Sequence, residues 1–197
     1  MAAARVSIAP IDDLTLRRAQ RGDERAWREL IDQHAGAVHG VIWRLFAGRA
    51  RHRVEDLVQE TFVRVLRGLP DFDPAGPARL STWILTIATR LALNELRRPE
   101  AAPLAAEPVA GTRTDRATER QRLAVAIGAA VAALPTDQRA VLILREYEGL
   151  DYHDIATVLE LELGTVKSRL ARARIALRAD LAARIPDVVA ELGGAHD

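Results

Sequence analysis

Residues 150–178 read LDYHDIATVLELELGTVKSRLARARIALR, two short helical patterns on either side of a four-residue break. In the second pattern Val166, Leu170, Ala173 and Leu177 recur at i, i+4, i+7 and i+11, which places them on one stripe to be buried. Thr165, Ser168, Arg169 and Arg172 recur at i, i+3, i+4 and i+7 on another face, and Lys167, Arg174 and Arg178 flank it. This is a helix-turn-helix pattern, whose second helix enters the major groove, so DNA is the first partner to consider. Flanking cations suit phosphates while the central face meets base edges. Taken alone, the helix also fits a basic amphipathic segment with a merely solvated face. The rest of the chain must decide.

The chain has 197 residues, no cysteine, 4% aromatic residues and a formal net charge of +1. Nucleic-acid binding must therefore come from local patches and not from the field of the whole molecule. Without cysteine there is no disulfide framework, thiolate metal site or cysteine nucleophile. His34 and His39 are five apart and point to different sides of a helix, and His52, His153 and His196 lack neighbours at metal-ligand spacing. No glycine-rich phosphate loop or serine nucleophile elbow occurs. The residues offer little for an enzyme, and no catalytic residue, metal or cofactor is expected. The opening MAAARVSIAP has no apolar core of signal-peptide length, and the apolar run 123–134 is too short and alanine-rich to span a bilayer. A soluble, cytoplasmic protein without membrane insertion is expected.

Ala, Leu and Arg dominate and strand-like alternation is hard to find, so an all-α fold follows. Helical patterns run over 12–98, with Asp12 and Asp23 as plausible caps and turn signals near Gly22, Gly48 and 69–77. The clearest is 54–69, where Val54, Leu57, Val58, Thr61, Phe62, Val65 and Leu66 form the stripe to be buried. Its opposite face carries Glu55, Asp56, Gln59, Glu60, Arg64 and Arg67. After LPDFDPAGPARL, Ser81 or Thr82 is expected to cap a helix running to Arg98. There Trp83, Ile87 and Leu91 with Ile84 and Ala88 form the stripe, leaving Thr86, Thr89, Arg90, Asn94, Arg97 and Arg98 off it. Residues 99–111 read PEAAPLAAEPVAG, three prolines without apolar periodicity, the signature of a linker. Periodicity returns with an alanine-rich helix over 115–134. Pro135 suits the start of the next helix and Gly149 its end. Ile155, Ala156 and Leu159 are expected to bury the helix after that. The organisation expected is an extension (1–11), a helical domain (12–98), a flexible linker (99–114), a smaller helical domain (115–182) with the helix-turn-helix, and a tail (183–197).

DLVQETFVRVLRGLPDFDP (56–74), STWILTIATRLALNELRR (81–98), LPTDQRAVLILREYEGLDYHDIA (134–156) and GTVKSRLARARIALR (164–178) together resemble regions 2 and 4 of a bacterial sigma factor of the sigma-70 family. The type is the small extracytoplasmic-function (ECF) one, which consists of those two helical domains and a linker. The helix-turn-helix alone is equally similar to LuxR-type output domains, so the 54–98 block decides. The resemblance implies a factor that binds core RNA polymerase through its β′ and β subunits, directs it to promoter DNA and helps melt the start site. It implies that Asp56, Gln59, Glu60 and Arg64 dock on a β′ coiled coil. It assigns the −10 element to the loop 72–80 and the next helix, with Phe72, Arg79, Arg90, Asn94, Arg97 and Arg98 serving the splayed single strand. Trp83, in the apolar stripe, is more readily a core residue than a base stacker. The −35 element falls to Thr165, Lys167, Ser168, Arg169, Arg172 and Arg174, with the Thr165 N–H placed for a phosphate. An anti-sigma partner is implied as well.

The chain departs from the family pattern at Thr89-Arg90, where Arg-Asn is usual, at Asn94, where Asp is usual, and at Glu160, where the turn usually has glycine. A left-handed Glu160 costs on the order of 1 kcal/mol relative to glycine, so either the turn is built differently or the first helix runs longer. Glu160 and Glu162 would also keep the turn off phosphate. The competing reading is an autonomous helix-turn-helix regulator whose N-terminal domain senses or dimerises.

Overall fold

A computed structural model of the chain describes residues 11–47, 50–98 and 119–186, and the linker, extension and most of the tail lie outside them. The described residues form eight α-helices and a 3₁₀ turn, with no strand among them. The helices are α1 (Asp13–Gln20), α2 (Glu24–Leu45), α3 (Arg51–Gly68), α4 (Leu80–Leu96), α5 (Glu119–Ala133), α6 (Thr136–Glu146), α7 (Tyr152–Leu159) and α8 (Leu163–Arg184). The two aspartates cap as the sequence suggests. Asp12 accepts the Thr15 N–H at 2.9 Å and Asp23 accepts those of Arg25 and Ala26, which together with the Arg18 guanidinium hold the Asp23 carboxyl below its ordinary range. Between them Gly22, at φ +86°, turns the chain.

The α1–α4 half closes around Leu30, Val38, Ile42, Leu45, Leu69 and Ile84, all fully buried. Each such aliphatic side chain contributes about 1.5–3 kcal/mol by leaving water. In the α5–α8 half, Leu142, Ile143, Leu144, Ile155 and Leu170 play the same part. Gly149, at φ +71°, reverses the chain after α6, and Leu150 N–H donates back to the Leu144 carbonyl at 3.0 Å. The two halves do not stand apart: α4 packs on α7, and α2 on α5 and α6, so one apolar cluster runs through both.

Several local expectations change. Helix α3 starts at Arg51, a turn earlier than 54, behind a left-handed Ala50. Neither Ser81 nor Thr82 caps α4: its N-cap is Arg79, without a side-chain bond, and Thr82 is buried. Leu66, assigned to the buried stripe of α3, is 50% exposed. Thr89, left off the stripe of α4, is buried, because α2 and α3 cover one side of this helix and α7 the other. In α7 the second buried residue is Val158, while Ala156 and Leu159 are only half-buried.

Candidate nucleic-acid and partner-binding surfaces

Helix α3 turns Val54, Leu57, Thr61 and Val65 into the core, which leaves Asp56, Gln59, Glu60 and Arg64 together in solvent. Arg64 is paired with Glu60 at 2.8 Å along the helix. Asp56 faces Arg53 at 3.8 Å, and Arg53 is fixed from behind by Glu95 of α4 at 2.7 Å, a bond that lowers the Glu95 pKa. Val63, 40% exposed, and Leu66 share this outward face. The surface thus joins an apolar flank to a charged one, a composition that suits protein docking. Counting Leu66 as core hid the apolar part; its place three residues from Val63 and seven from Gln59 was the available signal.

The loop after α3 is anchored from α1, whose Gln20 side chain donates to the Leu69 and Phe72 carbonyls at 3.0 and 2.8 Å. The Phe72 ring rests against Trp83, centroids 5.1 Å apart, and both rings are half-buried against the core. Between α1 and the loop lies a recess of about 220 Å³ lined by Asp13, Leu16, Arg17, Pro74 and Ala75. Of the polar residues on α4 expected to serve a single strand, Asn94, Arg97 and Arg98 are exposed at its C-terminal end. There Arg97 reaches the Asn94 side chain and Arg98 pairs with Glu95, each at 3.3 Å. Arg79 is exposed at the N-cap of the helix. Arg90 is differently engaged. Its Nε and Nη2 donate to the carbonyls of Val158 and Thr157 at 3.3 and 3.2 Å, and Nη2 lies 3.0 Å from Glu160.

In the helix-turn-helix, α7 starts on Asp151, which caps Asp154 N–H, and ends on Glu160 in the left-handed region, φ 54° and ψ 50°. The turn therefore has the ordinary shape without the glycine. Helix α8 buries Val166, Leu170 and Ala173 of the expected stripe, while Leu177 is only half-buried. Lys167, Ser168 and Arg172 are exposed, with Arg172 donating to the Ser168 carbonyl at 3.3 Å. Arg169 is drawn to Asp137 of α6 at 3.3 Å, and Arg174 is held by Glu146 at 2.6 Å, which raises the Arg174 pKa. Both acids belong to α6, a pairing that local periodicity cannot show. The Thr165 N–H is not available for a phosphate: it donates to the Glu162 carbonyl at 2.9 Å.

Residues 30–101 match the family Sigma-70 region 2 and residues 124–177 match Sigma-70, region 4. The chain is 36% identical to the RNA polymerase sigma-H factor of Pseudomonas aeruginosa, over 84% of this chain and 91% of that one. It is 33% identical to the ECF RNA polymerase sigma-E factor of Haemophilus influenzae, over 83% and 91%. Among solved structures it resembles CnrH in complex with the cytosolic domain of CnrY, with a TM-score of 0.63 and 29% identity over 86% of this chain and 96% of that one. A similar fold occurs in RpoE bound to the anti-sigma factor NepR from Bartonella quintana, with a TM-score of 0.59 and 23% identity over 78% and 95%.

Proposed function

Because this chain belongs to the sigma-70 family, in its extracytoplasmic-function group, we propose that it is a promoter-reading subunit that binds core RNA polymerase and directs it to specific promoters. The observation that carries this is the presence of two surfaces on one chain. The exposed face of α3, with Asp56, Gln59, Glu60, Arg64, Val63 and Leu66, has the makings of a protein-docking site. The exposed basic face of α8, with Lys167, Ser168 and Arg172, suits a major groove. Residues 12–98 would serve polymerase and the −10 element, with Phe72, Arg79, Arg90, Asn94, Arg97 and Arg98 at the strand. Residues 115–182 would serve the −35 element, with Arg169, Arg174 and Thr165 beside the exposed trio and 99–114 as the tether. This is the work of a non-catalytic, cytoplasmic initiation factor, and no described helix is long and apolar enough to cross a membrane. CnrH was solved with a cytosolic protein domain and RpoE with an anti-sigma factor. We extend to this chain a partner of that kind, seated on the surfaces that polymerase needs.

Run-off transcription with core polymerase on a library of promoter fragments tests the proposal. Product appears only when both core and this chain are present, and the isolated chain binds the selected promoter weakly. Tight, specific binding by the chain alone with no effect on core would instead identify an autonomous regulator.

A further inference from the structure

The loop between α3 and α4 is stiff in itself and is held from outside at its root. Pro70, Pro74 and Pro77 fix three of its φ angles. Asp73 closes a turn of its own: its carboxylate accepts the Ala75 N–H at 2.9 Å and its carbonyl accepts the Gly76 N–H at 3.1 Å. Glycine suits that closure, since a Cβ at position 76 would come within 3.0 Å of the Asp73 carbonyl oxygen. The tip therefore moves as a unit, and what remains to be set is its direction. Packing does not set it, because Pro74 and Ala75 are exposed and stand across the recess from Asp13, Leu16 and Arg17 of α1. A side chain of α1 does. The amide nitrogen of Gln20 carries two N–H groups and donates to the carbonyls of Leu69 and Phe72, at 3.0 and 2.8 Å. Leu69 is fully buried and its carbonyl also accepts the Phe72 N–H at 3.1 Å, so the core ends and the tip begins at Phe72.

Gln20 is itself firmly founded. Arg18 donates from Nε and Nη2 to Asp23, at 3.0 and 2.9 Å, which ties the end of α1 to the N-cap of α2, and Leu16 and Ala19 bury the helix beneath. Residues that bind a ligand work when supporting hydrogen bonds hold them within about 0.5 Å of the productive geometry. We propose that Gln20 is a positioning residue for promoter reading: its amide sets how the tip, residues 73–79, meets the unpaired strand of the −10 element, and so which base is preferred there. The inference rests on the sigma reading for what the tip meets, and on the hydrogen bonds of Gln20 for how the tip is aimed. Gln20 acts through the loop and not on DNA. Without its N–H groups the tip tilts at Phe72, and a tilted tip discriminates less between bases.

The test uses the full chain with core polymerase, on promoters that carry each base in turn at every −10 and −35 position. Gln20→Met keeps the length of the side chain and removes its donors, whereas Gln20→Lys changes the shape and restores N–H groups on a flexible stem. In run-off transcription Gln20→Met should lower the ratio between the best and worst base of the −10 element about five-fold, as for the net loss of one hydrogen bond. Its −35 ratios and its affinity for core should stay within about two-fold of wild type, as for distant, independent sites. Gln20→Lys should recover most of the −10 ratio, because any added attraction to phosphate is common to all bases and cancels. A nitroxide on Ala75→Cys, in a chain with no other cysteine, should move more freely with Gln20→Met than with Gln20 or Gln20→Lys. A role in packing alone predicts the reverse order, with Gln20→Met close to wild type and Gln20→Lys impaired. That order, an unchanged −10 ratio in Gln20→Met, or an equal fall at −35 overturns the proposal while wild-type transcription stands. A wild type that gives no core-dependent transcript overturns the sigma reading, and the −10 role of Gln20 with it.

Discussion

His34 shows how one side chain ties stability to pH. It is 3% exposed, and its Nδ1 lies 2.8 Å from the Leu30 carbonyl, which fixes the tautomer with Nδ1–H as donor. Burial lowers its pKa below 6.5, and the bond to Leu30 opposes that only in part. Below pH 6.5 the unfolded chain takes up a proton that the folded chain resists, so the contribution of this site is complete above 6.5 and is lost as pH falls. Between pH 7.5 and 5.5 the urea midpoint of the wild type should fall relative to that of His34→Leu, close in volume. An equal change in the two proteins would show that His34 does not contribute to the acid response. Glu148 acts in the opposite direction, since burial raises its carboxyl to about 7 against the pull of Arg44, and its stabilising share is lost as pH rises from 4.5 to 7. The comparison of variant with wild type cancels that background.

Helices α3 and α4 decide what the molecule can touch. On α3 the exposed Val63 and Leu66 supply the apolar part of the docking face, so Leu66→Glu should weaken binding to core polymerase about ten-fold, because it puts a charge on that part. Its melting temperature should stay within about 2 °C of wild type, because a surface change of this kind is nearly neutral for folding. Fluorescence anisotropy with core checks the first and a thermal melt the second; a large loss of melting temperature would return Leu66 to the core. The same two helices show where sequence periodicity stops. A stripe at three and four spacing locates one buried face, and on α3 it finds Val54, Leu57, Thr61 and Val65 correctly. How wide the buried face is depends on the neighbours: α3 has them on one side only, so Leu66 falls outside, whereas α4 is covered on two, so Thr89 falls inside. Caps and turns were legible where one residue does the work, as at Asp12, Asp23 and Gly149. The acids that claim Arg169, Arg174 and Arg90 come from other helices, and no local pattern contains them.

Across the whole molecule the two halves share one apolar cluster, and Arg139 is its most specific polar tie. The side chain is 6% exposed, and its guanidinium donates to Leu45 of α2 and to Ala132 and Leu134 at the turn from α5 to α6, at 2.7 to 2.8 Å. A planar fork satisfies carbonyls on two sides at once; a lysine, with one compact charge, does not reach both sets. Bonds to a charged donor contribute about 1.5–3 kcal/mol each when buried carbonyls depend on them. Arg139→Lys should therefore weaken both the joint between α2 and α6 and the turn from α5 to α6. Calorimetry of the wild type is expected to show one cooperative transition, because the shared cluster couples the halves. In Arg139→Lys that transition should broaden or split, with the half built on α5–α8 melting first, since it has the smaller core. A variant that keeps a single sharp transition at the wild-type temperature would mean that apolar packing alone joins the halves. The interdomain joint would then be governed by α4 and α7, the contact that Arg90 and Glu160 hold.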